Sequence, residues 1–198
     1  QLKEAAARFA CGQKKLACLQ APLRIRRLFK PAVRTDILDR QFAAEYAGLF
    51  EIVLPGMARM NLPFPLGGTS NHFRVDVLRQ VGGWDAFNVT EDADLGFRLW
   101  RHGWRLDVIS SPTFETPPGA LKLWLPQRTR WLKGYMQTLA VHAFSKGLGW
   151  RGHLGLASTM LAGLLAAGIH GYALAGMAAV LVLGLAAQQV PVFDVGAL

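Results

Sequence analysis

The sequence predicts an α/β domain that leads into a basic amphipathic helix and then into a membrane-spanning segment. Runs of helical and strand character alternate through the first half of the chain, the order expected of a layered sheet domain. Between Gly152 and Phe193 there is no Asp, Glu, Lys or Arg. All 22 Lys and Arg residues precede that stretch, and of the 13 acidic residues only Asp194 follows it, so the net charge of +9 is concentrated in the polar part.

Taken in order, Leu2 to Phe9 forms a short amphipathic helix with Gly12 as its stop signal. A buried strand starts at Leu16 and ends at Pro22, within the run Leu16 to Leu23. Asp36 to Met60 is helical and breaks or kinks near Pro55-Gly56. Its residues Phe42, Tyr46, Leu49, Phe50 and Val53 recur at spacings of three and four and mark a core-facing stripe. The segment from Leu62 to Asn71, with Gly67-Gly68-Thr69 in it, turns sharply before a helix from Arg74 to Val81. Paired glycines there either admit a ligand close to the backbone or serve an ordinary turn. Gly82-Gly83-Trp84-Asp85 is a second turn, Glu91 to His102 a helix, Arg105 to Ser110 a strand and Pro112 to Thr116 an extended piece.

Gly119 to Phe144 is amphipathic and helical, interrupted at Pro126. A basic helix carrying Trp131, Tyr135 and Met136 just ahead of an apolar stretch suits a membrane interface. A bilayer core takes about 20 apolar helical residues to cross, so Gly152 to Phe193 accommodates one long span or two short ones, with His170-Gly171-Tyr172 as the point for a turn. The alternative is a buried helical hairpin of a soluble protein. The division expected is therefore a partial catalytic domain at 1–126, an interface helix at 127–151 and a transmembrane segment at 152–193.

Several function classes fall away. The basic run Arg24, Arg26, Arg27, Lys30 and Arg34 has only Phe29 to stack on bases, which speaks against nucleic acid. It is a solvated loop or a contact with anionic lipid, and the excess of Lys and Arg beside the span predicts a cytoplasmic side. Cys11 and Cys18 lack partners for a metal site and read as buried thiols in a reducing compartment. No signal-peptide pattern opens the chain, which begins in a helix-forming run and reads as a fragment.

Two polar clusters carry the chemistry. Glu91, Asp92 and Asp94 stand in the first turns of a helix, where Asn88 and Glu91 fit a capping box and Asp94 pairs with Arg98 one turn on. Asp92, at a loop-lined helix start, is placed to act as a general base. Asp92-Ala93-Asp94 spells Asp-x-Asp, but residues i and i+2 of a helix diverge by roughly 200° and do not share a metal. In the second cluster Gln127, Arg130 and Trp131 lie at i, i+3 and i+4 on one helical face. They offer an amide for hydroxyls, a guanidinium fork for phosphate and an indole for a sugar face.

Together, Thr90-Glu91-Asp92, a gap of some 35 residues, Gln127-x-x-Arg130-Trp131 and an apolar tail resemble the membrane-bound family 2 glycosyltransferases related to cellulose synthase. Gly67-Gly68-Thr69-Ser70-Asn71 also looks like the segment that family places near its acceptor. The resemblance implies the acceptor-side half of a GT-A type nucleotide-sugar transferase domain. It makes Asp92 the base for the acceptor hydroxyl, Arg130 the donor-pyrophosphate contact, and Trp131, Gln127, Glu91, Gly68 and Thr69 substrate contacts. It implies inverting transfer of a hexose from a nucleotide sugar, UDP-glucose as the commonest donor, to a glycan at the cytoplasmic face of the inner membrane. A divalent cation, Mg or Mn, is implied too, with its Asp-x-Asp ligands upstream of this chain, so the fragment alone is expected to be inactive. Oligomeric state is left open. The competing readings are a catalytically inactive membrane-anchored binding or assembly module of the same fold, and a transporter fragment, which the scarcity of ionisable residues in the apolar stretch disfavours.

Overall fold

A computed structural model of the chain describes residues 1–11, 14–26 and 36–188. Gly12, three of the five residues in the basic run (Arg27, Lys30 and Arg34) and the residues from Gln189 onward lie outside the described residues.

The centre of the fold is β1 (Leu16–Gln20), all five residues of which are buried. The run is apolar up to its last residue, Gln20, because both faces are covered. One face packs Leu16 and Leu19 on Ala5 of α1 (Leu2–Ala10) and on Ile109, and the other puts Ala17 and Cys18 into the main core with Phe50, Phe64 and Leu95. β1 pairs antiparallel with β3 (Asn71–Phe73) and parallel with β4 (Arg105–Val108), in the order β3-β1-β4. The strand expected to run on to Pro22 stops earlier, and the chain then changes partners. β2 (Leu23–Ile25) forms a separate parallel pair with β5 (Thr113–Glu115). β3 lies where only a turn was expected. Three residues carry too little local pattern to announce a strand, and this one exists through its pairing with β1.

The helical region expected to break or kink near Pro55-Gly56 is unbroken. α2 (Asp36–Ala47) passes through a wider π turn (Gly48–Val53) into α3 (Leu54–Arg59). Proline lacks an N–H and crowds the carbonyl four residues back, and the widened turn directly upstream takes up that defect. The same turn shifts the buried stripe by one residue. Phe50 is buried as expected, but Val53 is exposed and Leu54 takes the inward position. α4 (Val75–Gln80) and α5 (Glu91–Arg101) follow.

α6 (Leu121–His142) likewise continues through Pro126 without interruption. It begins before residue 127 and ends at His142, so 127–151 is not one helix. It exposes Leu121, Leu123, Leu125, Met136 and Val141. After a turn with Gly147 at φ 86°, α7 (Gly149–Leu156), a π turn (Ala157–Leu161) and α8 (Ala162–Gln188) form one unbroken helix. No turn occurs at His170-Gly171-Tyr172; the His170 Nδ1–H donates back to the Ala166 carbonyl at 2.6 Å, within the helix. The helical hairpin is thus absent among the described residues. Leu156 and Met160 are buried against Phe97 and Leu148, whereas every residue from Leu165 to Ala187 is exposed.

Cys18 is buried, and burial raises its thiol well above the ordinary value; Cys11 is exposed, contrary to the expectation of two buried thiols.

Candidate functional site

α5 begins at Thr90, whose side chain makes no cap hydrogen bond. The expected capping box does not form. The Asn88 side chain instead accepts the Thr90 N–H at 3.0 Å and donates to Thr138 on α6 at 3.2 Å, so it fastens the helix start to its neighbour. Asp92 Oδ1 accepts the Ala93 N–H at 2.7 Å. Its other oxygen faces Gly68, where an added Cβ would come within 3.3 Å of it. Asp94 turns the opposite way. It is 2% exposed and pairs with Arg98 and with His142, which confirms that Asp92 and Asp94 diverge.

The loop facing Asp92 is pinned by a residue that the sequence reading passed over. Gln20, at the end of β1, is fully buried. Its Oε1 accepts the Gly67 N–H at 2.7 Å, and its Nε2 donates to the carbonyls of Ala21 at 2.9 Å and Thr69 at 3.1 Å. Neither Gly67 nor Gly68 has positive φ; that conformation falls on Ser70, at 60°. The glycines serve close approach instead, since a Cβ at Gly67 would meet the Phe50 ring at 3.0 Å. Thr69 donates to Glu115 at 2.8 Å.

The third wall is α6. A Cβ on Gly134 would lie 2.2 Å from Thr90 Oγ1, so the backbone of this helix crosses the start of α5 directly against the Thr90 side chain. That crossing brings Arg130 and Trp131 toward Asp92. Gly68, Thr69, Glu91, Asp92, Arg130 and Trp131 all line one cavity of about 340 Å³, together with Glu45, Tyr46, Glu115, Arg128 and Tyr135. Gln127 does not line it: its Oε1 is buried and has no hydrogen-bond partner among the described residues. Trp131 is held from the side by Phe42 and Tyr46, with ring centroids at 6.3 and 6.4 Å. Arg128, which sequence spacing did not single out, forms an ion pair with Glu45. Its guanidinium also sits 4.8 Å from the Trp131 ring centroid and 5.2 Å from that of Trp124. Such stacking desolvates the cation and fixes the indole plane.

The electrostatics single out Asp92. Burial is the largest influence and, with the nearby Glu91 charge, raises its carboxyl to about 6, while the Ala93 N–H and Arg130 act in the opposite direction. A carboxylate with this value is ionised at neutral pH yet more basic than usual, which suits a general base. Tyr46 and Tyr135 are pushed upward, chiefly by burial, and remain neutral phenols. Among the described residues no cluster of three or more His, Cys, Asp or Glu could hold a metal ion. The described residues alone therefore offer no cluster of protein ligands for a divalent cation.

A family model described as glycosyl transferase family group 2 matches residues 2–190. The probable glycosyltransferase YdaM of Bacillus subtilis is 34% identical over 68 residues, which cover 34% of this chain and 16% of that protein. A beta-monoglucosyldiacylglycerol synthase of a Synechocystis species is 33% identical over 101 residues, 48% of this chain and 21% of the synthase. A probable glucomannan 4-beta-mannosyltransferase of Arabidopsis thaliana is 31% identical over 72 residues, 36% of this chain and 13% of that enzyme. The chain thus aligns with between 13% and 21% of the length of these relatives.

Proposed function

The chain belongs to glycosyl transferase family group 2, a family with a GT-A type α/β fold, and on that premise we propose that its cavity is the acceptor side of a glycosyl-transfer site with Asp92 as base. The observation that carries the reading is the convergence of Gly68, Thr69, Glu91, Asp92, Arg130 and Trp131, from three separate elements, on one cavity. Asp92 takes the proton of an acceptor hydroxyl, whose oxygen attacks the anomeric carbon of the donor from the side opposite the leaving group. The new C–O bond forms as the bond to the nucleoside diphosphate breaks, the configuration inverts, and Asp92 is left protonated. Arg130 faces the charge that builds on the departing diphosphate. Trp131 presents a ring to the acceptor, and Thr69, Glu91 and Glu115 offer polar atoms to its hydroxyls.

The finer reading follows the cellulose synthase-like resemblance: a hexose donor, UDP-glucose first among candidates, a glycan or lipid-borne hydroxyl as acceptor, and an integral membrane protein whose catalytic part lies on the cytoplasmic side. The divisions at 1–126, 127–151 and 152–193 are kept as functional units, with α6 spanning the first boundary. A divalent cation, if used, is held by residues other than those described.

The test is Asp92→Asn in the full-length membrane protein, assayed for transfer from a panel of UDP- and GDP-hexoses. The expected outcome is loss of at least 10³-fold in kcat with donor affinity, measured by nucleotide binding, changed less than threefold. Retained turnover would remove Asp92 from the role of base.

A further inference from the structure

α6 meets the approach to α5 through a line of polar contacts rather than through grease alone. Gln137 accepts the Val89 N–H at 3.2 Å and donates to the Phe87 carbonyl at 3.4 Å. Thr138 accepts from Asn88 at 3.2 Å. One turn further on, His142 Nε2 bonds Asp94 Oδ1 at 2.8 Å. Gly134, Thr138 and His142 stand four apart along one helical face, with Gln137 three residues on from Gly134 beside them. They form a seam on the same helix that carries Arg130 and Trp131.

The last contact is the deepest. His142 is fully buried and Asp94 is 2% exposed. The other oxygen of Asp94 takes Arg98, whose guanidinium also donates to the carbonyls of Val81 at 3.2 Å and Gly83 at 2.8 Å. His142 is thereby tied, through the buried Asp94 and the partly buried Arg98, to the Gly82-Gly83 turn as well as to α5. None of these groups lines the cavity that holds Asp92. Apolar contacts are non-directional and tolerate sliding, whereas a buried carboxylate left one hydrogen bond short does not. A slip of one turn is about 5.4 Å along the helix, enough to carry Arg130 and Trp131 past the cavity.

We infer that His142 is a positioning residue for the transfer site: by bonding Asp94 it sets the register of α6 on α5, and so holds Arg130 and Trp131 opposite Asp92. This rests on the reading of Asp92 as the base.

The experiment uses the full-length protein with Cys11→Ser, nitroxide labels at Ala86→Cys and Lys133→Cys, and His142 varied to Ala or Gln. The Gln amide nitrogen reaches the position of Nε2 and restores the donor. The label-to-label distance distribution should broaden or shift in His142→Ala and return in His142→Gln. Turnover per folded molecule, with the nucleotide hexose that the wild type accepts, should fall at least tenfold in the first and stay within threefold in the second. Should His142→Ala not fold, Thr138→Val interrupts the same seam with little change of volume and should broaden the distribution with a smaller loss of turnover. An unchanged distance distribution, or equal turnover per folded molecule in all variants, would overturn the inference. So would a His142→Gln variant as impaired as His142→Ala. Undiminished turnover in Asp92→Asn would instead sink the functional reading and leave the distance result standing by itself.

Discussion

At Asp92 a single side chain combines burial with a place in the cavity. Its carboxyl is raised from the model-compound value of 3.8 to about 6, chiefly by burial. Transfer should therefore have an acidic limb near pH 6, rising as the carboxylate forms, and kcat/KM followed against pH would read it directly. A profile flat from pH 5 to 8 would contradict the assignment. Stability runs the other way. A carboxyl that binds its proton more tightly folded than unfolded loses stability as pH rises from the ordinary carboxylate range through about 6. Asp92→Asn removes that penalty, and at pH 8 should stabilise the protein by on the order of 1–3 kcal/mol, with little gain at pH 4. Thermal unfolding at the two pH values checks the sign. Gln20 is the second residue with leverage. Gln20→Leu keeps the volume but leaves the Gly67 N–H and the Thr69 carbonyl without this partner, which costs about 1–3 kcal/mol and loosens the loop facing Asp92. A variant with wild-type melting temperature and turnover would show that the loop holds itself.

At the scale of elements, the site is assembled by the crossing of α5 and α6, and Gly134 is the tightest point of that crossing. Gly134→Ala would gain up to about 1 kcal/mol of helix propensity, but its methyl would fall 2.2 Å from Thr90 Oγ1 and 2.7 Å from Thr90 Cβ. Thr90 is buried and short, so it cannot swing clear, and overpacking of this kind costs about 1–3 kcal/mol. The clash wins. The variant should melt at a lower temperature and transfer more slowly, and a variant more stable than wild type would mean that the helices do not meet here. This crossing also marks how far the sequence could be read. The helices α1 and α5 and the strands β1, β4 and β5 follow from local periodicity and turn residues, and Asp92, Arg130 and Trp131 from motif spacing. Gln20 escaped because its partners lie 47 and 49 positions away and it closes an otherwise apolar strand. Arg128 escaped because its role depends on Glu45 and Phe42, which only folding brings near it. The π turn at Gly48–Val53 stands where a break or kink near Pro55-Gly56 was expected, because a helix can absorb a proline by widening, an option that residue type alone does not reveal.

For the molecule as a whole, the question is how a polar catalytic face and an apolar helix share one chain. The helix from Gly149 to Ala187 has 39 residues, about 58 Å at 1.5 Å each, nearly twice a bilayer core of roughly 30 Å. Its two ends behave differently. Up to Gly163 the helix packs on the domain: Leu156 and Met160 are buried beside Phe97, and a Cβ on Gly163 would touch the Tyr135 ring at 3.3 Å. From Leu165 to Ala187 every residue is exposed, and that length, about 35 Å, matches one crossing. Tyr135 lines the cavity and also meets the helix just before it becomes fully exposed, so on the membrane-spanning reading proposed above the cavity lies at the lipid-proximal end of the domain. An acceptor growing from, or carried by, a lipid surface would have a short path to Asp92. Leu174, 64% exposed near the middle of that segment, provides the test. Leu174→Arg should cost about 2.5–3.5 kcal/mol of insertion free energy. The wild type should stay in the membrane fraction after alkaline carbonate extraction while part of the variant is released or degraded. A wild-type protein that carbonate strips into solution would show that the exposed helix rests against something other than lipid.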